Sequence, residues 1–125
     1  MKASVIICTY DEKREKDLDE CIASLQNQTV KDKDFEILVV VDHNNQLYNK
    51  LIKKYANSPN IKILHNNEKE RGQAATMNFG AKHAQADIVC FIDDDAIAHP
   101  KWLEEHLKMS VSYTHLRAHE TEADL

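Results

Sequence analysis

Four short apolar runs punctuate the chain, and each is rich in isoleucine and valine. They lie at residues 3–8, 36–41, 61–64 and 88–92. Within each run the apolar residues are mostly continuous rather than alternating with polar ones. That pattern is typical of strands covered on both faces of a sheet, so it predicts four buried β-strands.

Segments with helical periodicity lie between these runs. In the first segment the apolar residues Leu18, Ile22 and Leu25 recur at i, i+4 and i+7, and in the second Leu47, Leu51 and Tyr55 recur at i, i+4 and i+8. This spacing places each trio on one face of a helix. A third segment, about 73–86, carries small residues suited to close packing on a sheet, and a fourth helix is predicted after Pro100.

The resulting β-α-β-α-β-α-β-α order predicts an α/β fold: a Rossmann-like, mainly parallel sheet with flanking helices and right-handed crossovers. Ligands of such sheets bind beyond the carboxyl ends of the strands. Polar residues follow all four runs at these ends, at positions 9–11, 42–44, 65–67 and 93–95. We therefore predict that the four strand ends line one cleft.

Composition narrows the class of protein. The 125 residues are 42% hydrophobic and 30% charged, which suits one soluble domain with one core. The net charge of −5 argues against nucleic acid as a partner. The sequence has no apolar run of membrane-spanning length and no signal-peptide pattern. The three cysteines are expected to be reduced thiols. These features predict a cytoplasmic protein, or one at the cytoplasmic face of the membrane if a longer parent carries an anchor.

The segment at 111–121, VSYTHLRAHET, breaks the helical pattern that follows Pro100. It resembles the in-frame translation of a transposase sequencing adapter, a contaminant of gene models built from short reads. We therefore expect residues 1–110 to form the natural domain and 111–125 to be a non-native tail. No functional residue is predicted in that tail.

Three consecutive aspartates follow the fourth apolar run. Like charges in contact repel by about 1 kcal/mol in water and about 4 kcal/mol in a partly desolvated cleft, so a positive partner is expected. Because strand side chains alternate, Asp93 and Asp95 are predicted to share one side, about 6.6 Å apart, while Asp94 faces away. Two such carboxylates can bind Mg²⁺ or Mn²⁺, which completes its shell with water and substrate phosphates. A solvated acidic loop is the plainer alternative.

Three segments, taken in order, carry a family resemblance. They are SVIICTYDEKREKDLDECIASLQNQT, FEILVVVDHN and ERGQAATMNFGAKHAQADIVCFIDDDA. The first is similar to the opening strand, Thr-Tyr loop and first helix of the family-2-like inverting glycosyltransferases, which have the GT-A fold. The second resembles their second strand, and the third their glycine- and alanine-rich helix start and Asp-x-Asp strand end. The resemblance covers residue 3 to about 109 and implies the nucleotide-sugar-binding half of a truncated GT-A domain.

The resemblance implies roles for individual positions. Thr9 and Tyr10 would flank the nucleobase, with the Tyr10 ring free to stack, and Asp42 would accept a hydrogen bond from a base N–H. Asp93 would contact the ribose or the sugar. Asp95, with Asp93 as a second candidate, would hold the Mg²⁺ or Mn²⁺ that bridges the diphosphate. Tyr10 as a plain surface aromatic and Asp42 as a helix cap remain open alternatives.

Asp94, Arg71 and Asn78 complete the predicted substrate-binding set. The position before Asn78, often arginine in relatives, is Met77, so Arg71 is the alternative source of positive charge. Val41 stands where the family usually has the first of two aspartates. Gly72 and Gly80 are expected to serve turns and packing rather than phosphate binding.

The resemblance implies sugar transfer from a UDP- or GDP-sugar to a saccharide, lipid or protein acceptor, with a general base expected downstream of this chain. The fragment is therefore expected to bind the donor and to be inactive or nearly so. Two alternatives stay open. A haloacid-dehalogenase-like, Mg²⁺-dependent phosphatase also has Asp-x-Asp at a strand end, although normally after its first strand. A non-enzymatic nucleotide-binding module is the other.

Overall fold

The computed structural model describes residues 1–110 of the chain, and the 111–125 segment lies outside them. The main elements are β1 (Ala3–Thr9), α1 (Glu15–Leu25), β2 (Phe35–Asp42), α2 (Asn45–Lys54), β3 (Ile61–Asn66), α3 (Gln73–His83) and β4 (Val89–Phe91). Short 3₁₀ turns lie at Glu12–Arg14 and Asp32–Asp34, and residues 102–110 are helical. The predicted strands and helices are confirmed, with ends that differ by at most three residues.

The four strands form one parallel sheet in the order β3-β2-β1-β4. This is the predicted α/β architecture. The chain runs outward from β1 through β2 to β3 and then returns to add β4 on the other side of β1. The order of strands therefore reverses at β1, and in open parallel sheets such a switch point leaves a crevice between the diverging connections.

Both faces of the sheet are covered, as the continuous apolar runs predict. One face packs against α1 and α2 through the larger core, which contains Val5, Ile7, Ile37, Val39 and Val41. The opposite face carries Ile6, Leu38 and Val40 beneath α3. Helix α3 comes very close because Gly80 has no side chain: a Cβ there would lie 2.9 Å from Ile6 Cγ2 and 3.0 Å from Val40 Cγ2. The packing role predicted for Gly80 is confirmed.

A buried carboxylate ties the elements together at the amino ends of β1 and β2. Glu36 is 1% exposed, and its Oε2 accepts hydrogen bonds from Ser4 Oγ at 2.6 Å and from the Gln85 N–H at 2.7 Å. Lys62 Nζ lies 3.3 Å from the other oxygen, Oε1. Burial by itself would raise the pKa of the Glu36 carboxyl, but these three partners together hold it below its ordinary value. The network lies at the end of the sheet opposite the strand tips.

The three cysteines are free thiols, and two of them, Cys21 and Cys90, are buried. Burial, aided by nearby aspartates, raises the pKa of the Cys8 and Cys21 thiols to about 12, so both stay protonated at neutral pH. Across residues 1–110, no helix has both the length and the apolar composition needed to cross a bilayer.

Candidate functional site

A cleft of about 490 Å³ lies beyond the carboxyl ends of β1, β2 and β4, at the switch point of the sheet. It is lined by six of the residues singled out from the sequence: Thr9, Tyr10, Asp42, Asp93, Asp94 and Asp95. The end of β3 takes part indirectly. Asn66 is buried there, its Nδ2 donates to Glu70 O at 3.3 Å, and its Oδ1 accepts from Glu68 N–H at 3.3 Å, so it shapes the loop that leads to α3.

The tips of β1 and β2 are held together by Asn44. Its Nδ2 donates to Tyr10 O at 2.9 Å, while its Oδ1 accepts from Leu47 N–H at 3.0 Å and caps α2. The cap of α2 is therefore Asn44, which removes the alternative that Asp42 serves only as that cap. Tyr10 is 59% exposed at the rim of the cleft, so its ring is available for stacking.

Asp42 lies at the end of β2 and anchors the loop between β3 and α3. Its Oδ2 accepts from Gly72 N–H at 3.0 Å, and its Oδ1 lies 2.5 Å from His43 Nδ1. The other ring nitrogen of His43 lies 2.5 Å from Glu68 O. His43 has φ = 50°, a left-handed conformation that is uncommon outside glycine, so this geometry is held by its contacts. Asp42 lines the cleft, and each of its carboxylate oxygens has capacity for a further donor.

The aspartate run departs from the predicted alternation because β4 ends at Phe91. Residues 93–96 form a turn in which Ala96 N–H donates to Asp93 O at 3.1 Å. The expectation that Asp94 faces away was wrong. Asp94 is the buried member, 6% exposed, and its Oδ2 accepts from Thr9 Oγ1 at 3.0 Å. Asp93 and Asp95 are the exposed pair.

The positive partner demanded by three like charges is Arg14, which the sequence analysis missed in favour of a metal. Arg14 Nη2 lies 2.9 Å from Asp94 Oδ1 and 3.0 Å from Asp95 Oδ2. Arg14 ends the 3₁₀ turn after β1, which is capped where Asp11 Oδ1 accepts from Lys13 N–H at 2.9 Å. The available signal was an arginine five residues past Thr9, at the start of the first helical segment.

The pKa of Asp94 is raised above its ordinary value. Burial is the largest cause, Asp95 and Asp93 add to it, and the Thr9 hydrogen bond and the Arg14 charge oppose it without cancelling it. The ionised form of Asp94 is therefore strained in the free protein. The protonated carboxyl of Asp94 contributes to the free energy of unfolding because its folded-state pKa is higher than its unfolded-state pKa. This contribution is fully present below pH 3.8 and is lost as the pH rises through the folded-state pKa.

Asp94→Asn should therefore raise the free energy of unfolding at pH 7, because a neutral amide fits the site and the Thr9 hydroxyl can accept as well as donate. The gain should shrink toward zero as the pH falls below 3.8, where the wild-type carboxyl is protonated in both states. Urea unfolding of both proteins between pH 3 and pH 7 measures it. A variant that is less stable than wild type at pH 7 would contradict this account of the site.

Two predicted site residues lie outside the cleft lining. Arg71 and Asn78 are exposed, and neither faces the cleft formed by the described residues. Their neighbours Gly72, Gln73 and Thr76, at the start of α3, line it instead. Gly72 has φ = 96°, which fits its predicted role in a turn. The roles implied for Arg71 and Asn78 stay predictions.

The carboxylates of the cleft fit a hard divalent cation only if a bound ligand supplies further oxygen atoms to it. Within residues 1–110, no three histidine, cysteine, aspartate or glutamate side chains converge closely enough to hold a metal ion. Asp93 and Asp95 nevertheless offer exposed carboxylates at the cleft, and Arg14 engages one oxygen of Asp95. Mg²⁺ and Mn²⁺ commonly take one or two protein carboxylates plus water and phosphate oxygens, so this donor set fits them.

The sequence comparisons with known proteins all indicate the same family. The sequence profile of glycosyl transferase family 2 matches residues 4–114. The glucosyl-dolichyl phosphate glucuronosyltransferase of Haloferax volcanii is 34% identical over 104 residues, covering 83% of this chain and 32% of the relative. An uncharacterized glycosyltransferase of Methanocaldococcus jannaschii is 38% identical over 106 residues, covering 84% and 36%. The chain thus spans about a third of the length of these curated relatives.

Solved structures give the same architecture. Staphylococcus aureus TarS 1–349 in complex with UDP-GlcNAc superimposes with a TM-score of 0.72 at 30% identity, covering 85% of this chain and 30% of that one. The mannosyltransferase PcManGT from Pyrobaculum calidifontis, in complex with GDP-Man and Mn²⁺, has a TM-score of 0.66 at 24% identity, covering 78% and 28%. The fold is the predicted GT-A type, and the phosphatase alternative gains no support.

Proposed function

This chain belongs to glycosyl transferase family 2, and from that premise we propose that its cleft binds the nucleoside diphosphate part of a sugar donor. The observation that carries the proposal is the convergence of Thr9, Tyr10 and Asp42 with the aspartate run in one cleft. The relatives that the chain matches act on glycosyl groups, and TarS has been solved with UDP-GlcNAc. UDP- and GDP-sugars are the donors to test.

The base end of the donor belongs with β1 and β2. The exposed Tyr10 ring offers a flat surface for stacking, and Asp42 offers a carboxylate oxygen to a base N–H. Gly72 N–H and His43 hold that carboxylate in place, so little freedom is lost when a base binds. Both UDP and GDP carry a suitable N–H, so the geometry accommodates either.

The diphosphate end belongs with Arg14 and the aspartates. Arg14 supplies a fixed positive charge and N–H donors at the cleft. Asp93 and Asp95 would hold the divalent cation, whose chemistry is to neutralise the charge of the departing diphosphate. Asp94, braced by Thr9, sets the positions of its neighbours. We assign no general base and no acceptor site to this chain, and transfer by the whole protein is part of the proposal.

The proposal predicts metal-dependent binding of UDP or GDP. Calorimetric titration of each nucleotide with and without Mn²⁺ should give binding that weakens at least tenfold when the metal is removed. Asp95→Ala should cause a comparable loss, because it removes one of two candidate metal ligands. Asp87→Ala, a loss of one exposed carboxylate outside the cleft, is the matched control and should bind as wild type does. If no folded variant binds either nucleotide under any condition, the proposal fails.

A further inference from the structure

Arg14 occupies an unusual position for a cation in a predicted metal-dependent site. A single guanidinium nitrogen, Nη2, contacts two of the three aspartates, and the side chain is 36% exposed. Of the described residues that line the cleft, it is the one with a positive charge. Its single positive charge offsets part of the negative charge of the three aspartates, and the nearby carboxylates raise the pKa of Arg14, with Asp94 the largest cause.

The contact between Arg14 and the aspartates disfavours metal binding to the protein without donor. Asp95 is a predicted metal ligand, and one of its oxygens already faces the guanidinium at 3.0 Å. A dication on Asp95 would therefore sit next to a fixed positive charge, and like charges at contact distance in a partly desolvated cleft repel strongly. The described residues also contain no cluster of three ligands that would offset this repulsion.

A bound diphosphate would relieve the repulsion between Arg14 and the cation. Its negative oxygens give the guanidinium an alternative partner, since arginine binds phosphate in a fork geometry as readily as carboxylate. The same oxygens add ligands for the cation. Arg14 can reach such a group because it lines the same cleft and keeps about a third of its side chain exposed.

We propose that Arg14 is a positioning residue that makes metal binding conditional on the donor: it holds Asp94 and Asp95 in the free protein and turns to the diphosphate when the donor binds. This inference rests on the proposed function, because it takes the donor to be a nucleoside diphosphate sugar. Metal and nucleotide should then bind with positive coupling, and by linkage each strengthens the other by the same factor.

The test measures Mn²⁺ affinity, not activity, by calorimetry on the whole chain with and without saturating UDP or GDP. For wild type we expect weak Mn²⁺ binding alone and at least tenfold tighter binding with nucleotide. Arg14→Gln should bind Mn²⁺ about tenfold more tightly than wild type in the absence of nucleotide, and the nucleotide should then add little. Lys13→Gln removes a neighbouring exposed charge from the same 3₁₀ turn and should behave as wild type.

Arg14→Lys keeps the charge but not the fork, so its Mn²⁺ affinity should fall between wild type and Arg14→Gln, and it serves as the test if Arg14→Gln does not fold. Unchanged or weaker Mn²⁺ binding by the folded variants without nucleotide would overturn the role of Arg14, whatever the nucleotide does. Absence of UDP and GDP binding by the wild type, with the Mn²⁺ affinity of Arg14→Gln still raised, would instead overturn the proposed function and leave intact the inference that Arg14 opposes metal binding.

Discussion

Glu36→Ala is expected to lower the free energy of unfolding by about 3 kcal/mol, because it leaves one buried and one partly buried donor without an acceptor, at roughly 1–3 kcal/mol for a buried group. The donors are Ser4 Oγ and the Gln85 N–H, both within 2.7 Å of the Glu36 carboxylate. Ser4 Oγ in turn accepts from Ala86 N–H at 3.1 Å, so the loss spreads to the connection between α3 and β4. Urea unfolding at pH 7 measures the change.

Two controls separate the hydrogen bonds from the ion pair. Lys62→Met removes only the exposed partner of Glu36 and should cost less than about 1 kcal/mol. Glu36→Gln keeps an acceptor and loses the charge. Because the folded-state pKa of Glu36 is lowered, its charge adds stability above the ordinary value of 4.5 and loses it as the pH falls through the folded-state value. The gap between wild type and Glu36→Gln should therefore narrow as the pH falls below 4.5, and a gap that widens instead would contradict this assignment.

Gly80→Val is expected to lower the free energy of unfolding by about 3 kcal/mol, the upper part of the usual range for overpacking a core. The new Cβ would lie 2.9 Å from Ile6 Cγ2 and 3.0 Å from Val40 Cγ2, and both methyl groups belong to stiff, β-branched side chains on strands. Relief requires α3 to move away from the sheet. That helix carries Gln73 and Thr76 to the cleft, so nucleotide binding should weaken as well.

Ala81→Val is the matched control, since it places the same side chain on the next, exposed position of α3. It should cost only the difference in helix propensity, about 0.5 kcal/mol, and should leave nucleotide binding unchanged. Thermal or urea unfolding of the two variants side by side makes the comparison. Equal losses at the two positions would show that the close contact of Gly80 with the sheet contributes little.

The sequence was sufficient for the fold because its apolar pattern has few interpretations. Continuous apolar runs such as residues 37–41 require cover on both faces, and their alternation with helical segments favours a parallel sheet. The position of the cleft follows from the same reasoning, since the polar residues after parallel strands share one edge. Thr9 and Asp42 were found in this way, and they lie where the strand pattern put them.

The alternation of side chains along a strand gave a wrong prediction for the aspartate run, because that alternation applies only to residues within a strand. β4 ends at Phe91, and in the turn that follows it is Asp94 that is buried against Thr9. The role of Arg14 was not predicted for a different reason. Its partners lie about 80 residues away along the chain, and a partly exposed arginine on a short turn has no local sequence signature. The positions of Arg71, in the loop before α3, and of Asn78, on α3, outside the cleft lining likewise depend on tertiary packing.

The sequence by itself determined the strands, the helices, the parallel direction of the strands and the edge of the sheet where a ligand would bind, because these depend on local hydrophobic pattern and on short-range rules of connection. Only the tertiary structure decided which carboxylate is buried, which cation balances it and how closely α3 packs. Those outcomes depend on through-space distances between residues far apart in the chain, and a charge selects its partner by distance in space rather than by separation in sequence.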